Sequence, residues 1–305
     1  MAKYLVTGGN GFIGSLLVET LTTNGNMVNI LTPGPLTKNF TAPENIALLQ
    51  GSTADKAVMK KAFDGVEACF HLAGVAMDHD PRHDRSGTGM NIDGNAPVLF
   101  STARQAGNIP VVYASSAAVY GLQPDGAISE TATTKPVNAH GEEKLRFEQE
   151  AIRACDEFGT PSVGLRFFNV YGPTQSLNSI YCGAPRRFIE FLKSNQPIPL
   201  YGGGNQIRDF THVKDAVESM LHVVERSITG ASQVNIGTGI GVSIRDVANT
   251  LSKLSGLEAT FKDLPIGETD VKESVADTSM AEDSFGFRTR VPLNEGLQNM
   301  IDELL

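Results

Sequence analysis

The run Tyr4-Leu5-Val6-Thr7 passes directly into Gly8-Gly9-Asn10-Gly11-Phe12-Ile13-Gly14, and Ile13, Leu16, Leu17 and Leu21 then recur at helical spacing. A β-rich run, a glycine turn and an amphipathic helix in immediate succession constrain the fold more than any other feature of the chain. Glycines at 8, 11 and 14 permit a tight turn and close backbone approach. The helix then begins with unpaired N–H groups and the positive end of its dipole facing the strand end, an arrangement suited to a pyrophosphate. Gly8, Gly11, Phe12, Ile13 and Gly14 are therefore candidate contacts for a dinucleotide.

The alternation repeats. Strands are predicted at 27–31, 46–49, 68–72, 111–115 and 162–166, with helical stretches near 55–63, 94–106 and 139–158 between most of them. Strand and helix in turn give a parallel sheet covered on both faces, the doubly wound α/β (Rossmann) fold, of whose GxGxxG fingerprint the GxxGxxG here is a relative. The pattern breaks after Gly172: residues 173–204 are loop-rich, with Pro185, Pro197, Pro199 and Gly202-Gly203-Gly204. Residues 213–236 return as helix and strand, and the tail from Gly237 mixes short helices with turns. This predicts a Rossmann domain from 1–171 and 212–236, interwoven with a smaller substrate-binding domain from 172–211 and 237–305.

Composition narrows the function classes. Charged residues make up 19%, and 34 Asp plus Glu against 25 Lys plus Arg leave a charge of −9, which argues against nucleic acid or an anionic membrane as partner. Cys69, Cys155 and Cys182 lie far apart with no CxxC pair, so neither a metal site nor a disulfide framework is expected. No apolar run approaches the length of a membrane span and no leader pattern opens the chain, so a cytoplasmic protein is expected.

A ribose contact is ordinarily an acidic residue at the end of the second strand. Here that place holds Thr32, and no Asp or Glu occurs between Glu19 and Glu44. Lys38 is the only cation near it, so NAD is preferred and NADP left open.

Further along, Phe70-His71-Leu72-Ala73-Gly74, Val112-Tyr113-Ala114-Ser115-Ser116-Ala117-Ala118-Val119-Tyr120-Gly121, Leu165-Arg166-Phe167-Phe168-Asn169-Val170-Tyr171-Gly172-Pro173, Arg208-Asp209-Phe210, Asn235-Ile236-Gly237 and Ala276-Asp277-Thr278-Ser279 follow in order. With the glycine turn they resemble the extended short-chain dehydrogenase/reductases, specifically the NAD-dependent nucleotide-sugar epimerase/dehydratase family, over nearly the whole chain. The resemblance implies cofactor contacts from Leu72, Ala73, Asn91, Ser52 and Thr53, and substrate contacts from Ser116, Asn169 and Arg208. Ser52 stands where the family usually has an aspartate for the adenine, and Gly267 where it has a second diphosphate-binding arginine, with Lys262 or Lys272 as possible substitutes.

Family chemistry pairs a serine, matched by Ser116, with Tyr-x-x-x-Lys. Here the pair reads His140-Gly141-Glu142-Glu143-Lys144, and no tyrosine lies between Tyr120 and Tyr171. Four residues span about one helical turn, so His140 and Lys144 share a face. An imidazole beside an ammonium stays neutral and can accept a proton; the bland alternative is a helix-start histidine in a protein that has lost the redox step. Ser116 has a bland reading as a strand-end cap, and Arg208 as a surface ion pair with Asp209 or a nearby carboxylate. Epimerisation of a UDP-hexose through a 4-keto sugar leads. Dehydration is disfavoured by Ala117 and Ala118, which replace the expected acid/base pair after the serine. A silent nucleotide- or sugar-binding protein and a reductase of small carbonyls are the alternatives. By family analogy the helices near 94–106 and 139–158 form a homodimer interface.

Overall fold

In the computed structural model the chain is described over residues 1–34, 44–74, 92–179, 182–267 and 270–305, with 92–95 as backbone alone. Along it run β1 (Lys3–Thr7), α1 (Phe12–Thr23), β2 (Met27–Thr32), β3 (Ile46–Gln50), α2 (Lys56–Ala62), β4 (Ala68–His71), α3 (Ile92–Gln105), β5 (Val111–Ser116), β6 (Ala127–Ile128), α4 (Ala139–Phe158), β7 (Ser162–Phe167) and β8 (Val170–Tyr171). The remainder comprises α5 (Ala184–Lys193), β9 (Ile198–Tyr201), β10 (Ile207–Asp209), β11 (Thr211–His212), α6 (Val213–Val224), β12 (Ala231–Ile236), β13 (Gly241–Ser243), α7 (Ile244–Ser255), β14 (Phe261–Leu264), β15 (Glu273–Ala276), α8 (Ser279–Phe285) and α9 (Leu293–Leu304).

Seven strands form one parallel sheet in the order β12-β7-β5-β4-β1-β2-β3, the doubly wound α/β architecture that the sequence predicts. Both faces are covered, which is why its strands are apolar on both sides. In β1, Val6 packs with Leu17 of α1 and Met220 of α6, while Leu5 packs with Met59 of α2, Leu99 of α3 and Ala151 of α4. The chain winds outward through β2 and β3, then returns to β4 on the other side of β1. This reversal opens a crevice at the C-terminal ends of β1 and β4, the place where such sheets hold ligands.

A smaller mixed sheet, β13-β10-β15-β6, and the pairs β11–β8 and β14–β9 lie beyond it. A separate core of Phe188, Ile189, Leu192, Leu200, Val247, Leu251, Leu297 and Met300 knits α5, α7 and α9 together. Within the loop-rich stretch 173–204 the structure adds two elements that the sequence reading does not name, α5 and β9. Gly183 caps α5 and Pro185 sits in its first turn, where a proline starts a helix rather than breaking one. The three glycines at 202–204 do form a turn, with φ of 53°, 71° and 74°.

Candidate active site

The glycine turn closes on itself. Gly8 has φ 70°, and a Cβ there would lie 2.8 Å from the Ala73 nitrogen; one on Gly14 would lie 2.2 Å from the Gly8 oxygen. The Gly11 N–H donates to that same oxygen at 2.9 Å. Helix α1 therefore starts hard against the ends of β1 and β4. Its cap residue, Gly11, supplies no side-chain hydrogen bond and its first turn has no acidic residue, so the leading N–H groups stay open to an anion. Cradle and helix start together fit a dinucleotide diphosphate.

Phe12 and Ile13 are half-buried, as are Leu72 and Ala73 across from Gly8. Thr32 is fully enclosed, and its Oγ1 has no hydrogen-bond partner among the described residues. Ser52 is exposed with its hydroxyl accepting from the Ala54 N–H at 3.1 Å, and Thr53 beside it is buried. Asn91 and Lys38 lie outside the described residues.

Ser116 ends β5. Its Oγ accepts from the Ala118 N–H at 3.1 Å, capping the 3₁₀ turn Ala117–Val119 and leaving its own proton to donate elsewhere. The cap and a substrate role are thus compatible. Helix α4 begins at Asn138, whose Oδ1 accepts from the Gly141 N–H at 2.8 Å. A Cβ on Gly141 would lie 2.3 Å from the Ala118 oxygen. Only a glycine lets the first turn of α4, which carries His140, press against the turn that follows Ser116.

Burial, and then the nearby Lys144 ammonium, hold the His140 imidazole down at about 3. Burial also lowers Lys144, opposed by Glu143 and Glu148. A second imidazole shares this environment. His71, at the end of β4, is likewise held at about 3 by burial and then by Lys144; its Nδ1 pairs with Thr7 Oγ1 at 2.8 Å, and its ring stacks on Phe147 at 5.0 Å. Both imidazoles are therefore neutral near pH 7.

Sequence reasoning misses what lies beneath. Glu148, two turns along α4 from His140, forms a bidentate ion pair with Arg166 of β7, at 2.9 Å to Nε and 2.7 Å to Nη2, with both side chains buried. Arg166 also donates to the Tyr120 hydroxyl at 3.0 Å, which in turn donates to Asn235 Oδ1 at 2.6 Å. An acidic and a basic residue in ordinary helix and strand patterns carry no signal of pairing. The only hint is that Arg166 interrupts an otherwise apolar strand.

On the other side, Arg208 of β10 donates to the carbonyls of Val271 at 2.7 Å, Ile207 at 2.8 Å and Lys272 at 3.4 Å. It is not paired with Asp209. That carboxylate faces the other way along the strand and accepts from Thr238 N and Oγ1 at 2.8 and 2.6 Å, Gly239 N at 2.9 Å and Ala276 N at 3.2 Å. Asn169 is exposed, with its carbonyl receiving the Thr211 N–H at 3.0 Å. Gly267 donates its N–H to Asp270 Oδ2 at 2.9 Å. Among the described residues no cluster of three metal-ligating side chains occurs, and no helix is long and apolar enough to cross a membrane.

The chain is 31% identical over 316 residues to the uncharacterized UDP-glucose epimerase YtcB of Bacillus subtilis, covering 98% of this chain and 96% of the relative. Its fold superposes on the UDP-glucose 4-epimerase of Thermus thermophilus in complex with NAD with a TM-score of 0.87, at 27% identity over 99% of this chain and 98% of the other. The Thermotoga maritima UDP-glucose 4-epimerase with UDP-glucose gives a TM-score of 0.89, at 28% identity over 99% and 98%. The model of the NAD dependent epimerase/dehydratase family matches residues 4–237. The chain belongs to that family of nucleotide-sugar enzymes, and NAD is its cofactor.

Proposed function

We propose that the protein is a nucleotide-sugar 4-epimerase working on a UDP-hexose with His140 in place of a catalytic tyrosine. The observation that carries this reading is the contact of Gly141 with the Ala118 carbonyl, which sets His140 and Lys144 beside the end of β5 where Ser116 lies. NAD, when bound, supplies reversible oxidation of one sugar carbon. Gly8, Gly11, Phe12, Ile13, Gly14, Thr32, Ser52, Thr53, Leu72, Ala73 and Asn91 are assigned to its binding, with Lys144 at the nicotinamide ribose. These positions belong to a cofactor domain of residues 1–171 and 212–236. Residues 172–211 and 237–305 hold the sugar nucleotide, with Arg208 and Asn169 at its diphosphate.

Ser116 Oγ holds the substrate hydroxyl. The neutral His140 takes its proton as the carbon is oxidised and returns it after the ketone has turned its other face. The resulting imidazolium is disfavoured first by burial and then by the nearby Lys144 ammonium, so the proton is held transiently and handed back readily. With Ala117 and Ala118 after Ser116, no acid/base pair is provided for loss of water, which places epimerisation ahead of dehydration.

The protein acts as a homodimer in this reading, joined along α3 and α4. The surface this contact would cover includes a shallow groove of about 290 Å³ lined by Pro97, Val98 and Phe158 together with the charged Lys56, Glu150 and Arg153. The test of the function is turnover of a UDP-hexose panel followed by NMR, with NAD released from the denatured protein quantified alongside. His140→Phe should lower kcat by about 10²–10⁴, the contribution of a general acid/base. An undiminished rate would remove His140 from the mechanism. A bound nucleotide with no turnover would make the protein a binding module.

A further inference from the structure

The ion pair beneath the site is placed where it can govern the site. Ser115 Oγ donates to Glu148 Oε1 at 2.5 Å, so this carboxylate receives Ser115 of β5 and Arg166 of β7 together. Ser115 is the neighbour of Ser116, and successive strand side chains point to opposite faces; fixing Ser115 therefore fixes the rotation of Ser116. Along α4, His140, Lys144 and Glu148 follow at four-residue steps and lie on one stripe. Glu148 is thus the point where the strand carrying Ser116 is tied to the helix carrying His140 and Lys144.

Stability alone does not account for such an arrangement. A buried ion pair is often replaced by apolar residues at no loss, whereas it does enforce one geometry over its neighbours. Here the geometry is over-determined: Arg166 is held by Tyr120 and by the Glu130 carbonyl at 3.3 Å, and Glu130 Oε1 accepts the Asn235 N–H at 2.8 Å. We propose that Glu148 is a positioning residue, setting Ser116 on β5 at its working distance from His140 and Lys144 on α4. The proposal rests on the assignment of those three residues to the chemistry.

Ser115→Ala in the full-length protein tests it, because it removes one bond and leaves the Glu148–Arg166 pair intact. Three readouts are taken: thermal midpoint, the side-chain ¹⁵N resonances of the histidines, and the rate with UDP-glucose and added NAD. His140→Phe identifies the His140 signals. The midpoint should change little. The His140 resonances should shift, and kcat should fall on the order of tenfold with KM for UDP-glucose near the wild-type value, as expected for a small misplacement. A purely stabilising bond would leave the folded-state resonances and kcat as in the wild type, and that result overturns the proposal. Conversely, if His140→Phe retains full activity while Ser115→Ala still moves the His140 resonances, the coupling stands and the assigned chemistry fails. Glu148→Gln, in which shape is kept and charge lost, should shift the same resonances further; if it folds and shifts none, the proposal is again overturned.

Discussion

Gly141→Ala gives a prediction whose sign separates tertiary from local effects. In an exposed helix interior, alanine for glycine is worth about 1 kcal/mol of stabilisation. At this position the new Cβ would stand 2.3 Å from the Ala118 oxygen and 2.8 Å from Pro136 Cβ. An ordinary C···O approach is about 3.3 Å or more, so the first turn of α4 must retreat by roughly 1 Å from the turn after Ser116. Both obstacles are backbone or a rigid ring, and neither can swing aside. Overpacking of this kind costs about 1–3 kcal/mol, and 1 kcal/mol moves the midpoint of a chain this large by about 1.5 °C. The thermal midpoint should fall by a few degrees, where helix propensity alone predicts a rise. A 1 Å displacement of His140 from Ser116 should in addition lower kcat by as much as about 10². Differential scanning calorimetry and a UDP-hexose epimerisation assay on the purified variant decide it. A midpoint at or above wild type together with an unchanged rate would refute the claim that this contact sets the two halves of the site.

Gly14→Ala should weaken NAD binding by about tenfold or more, some 1.4 kcal/mol, because its Cβ would meet the Gly8 oxygen at 2.2 Å; titration calorimetry with NAD checks this. Arg166→Met should cost about 3–5 kcal/mol in urea unfolding by stranding the Glu148 carboxylate, and Glu148→Leu/Arg166→Met together should cost less than the single change. His71 and His212 are held neutral by burial, at about 3 and about 4 against an ordinary 6.5. Their folded-state values are depressed, so stability is complete above pH 6.5 and falls as the pH drops toward 4, by up to about 1.4 kcal/mol per pH unit for each. Midpoints that stay flat from pH 7 to 5 would contradict it. Arg208→Lys, which replaces a planar fork by a point charge, should raise the dissociation constant for UDP-glucose about tenfold and also lower the midpoint, because the carbonyls of Ile207, Val271 and Lys272 lose part of their donor set.

Much of the sheet is legible in the sequence because parallel strands buried on both faces are continuous apolar runs, and β1, β2, β4, β5 and β7 all fall where such runs occur. The glycine cradle is legible because only glycine satisfies its contacts. Helix α5 is not, since Pro185, followed by Pro197, Pro199 and the glycines at 202–204, looks like loop until Phe188, Ile189 and Leu192 are seen to share a buried face. Side-chain partners are the least legible. Arg208 and Asp209 look like an ion pair as neighbours, yet strand alternation sends them to opposite sides. Glu148 and Arg166, 18 positions apart, give no hint of each other. Local patterns encode elements; bonds between elements depend on where the fold brings them.

The sheet also dictates an order of assembly. Strand β12 is the outer neighbour of β7, but it is encoded after the chain has left the sheet for 172–211 and come back through α6. While the chain is being synthesised, β7 is therefore an unpaired edge until residue 236 has emerged, and Tyr120 waits for Asn235, 115 positions downstream. Fragments ending near residue 230 carry a bare apolar edge beside a buried arginine lacking part of its support, a combination that invites self-association. The seven-stranded sheet cannot be completed by the chain up to β7; its last strand is delivered by the ribosome only after the whole of residues 172–211.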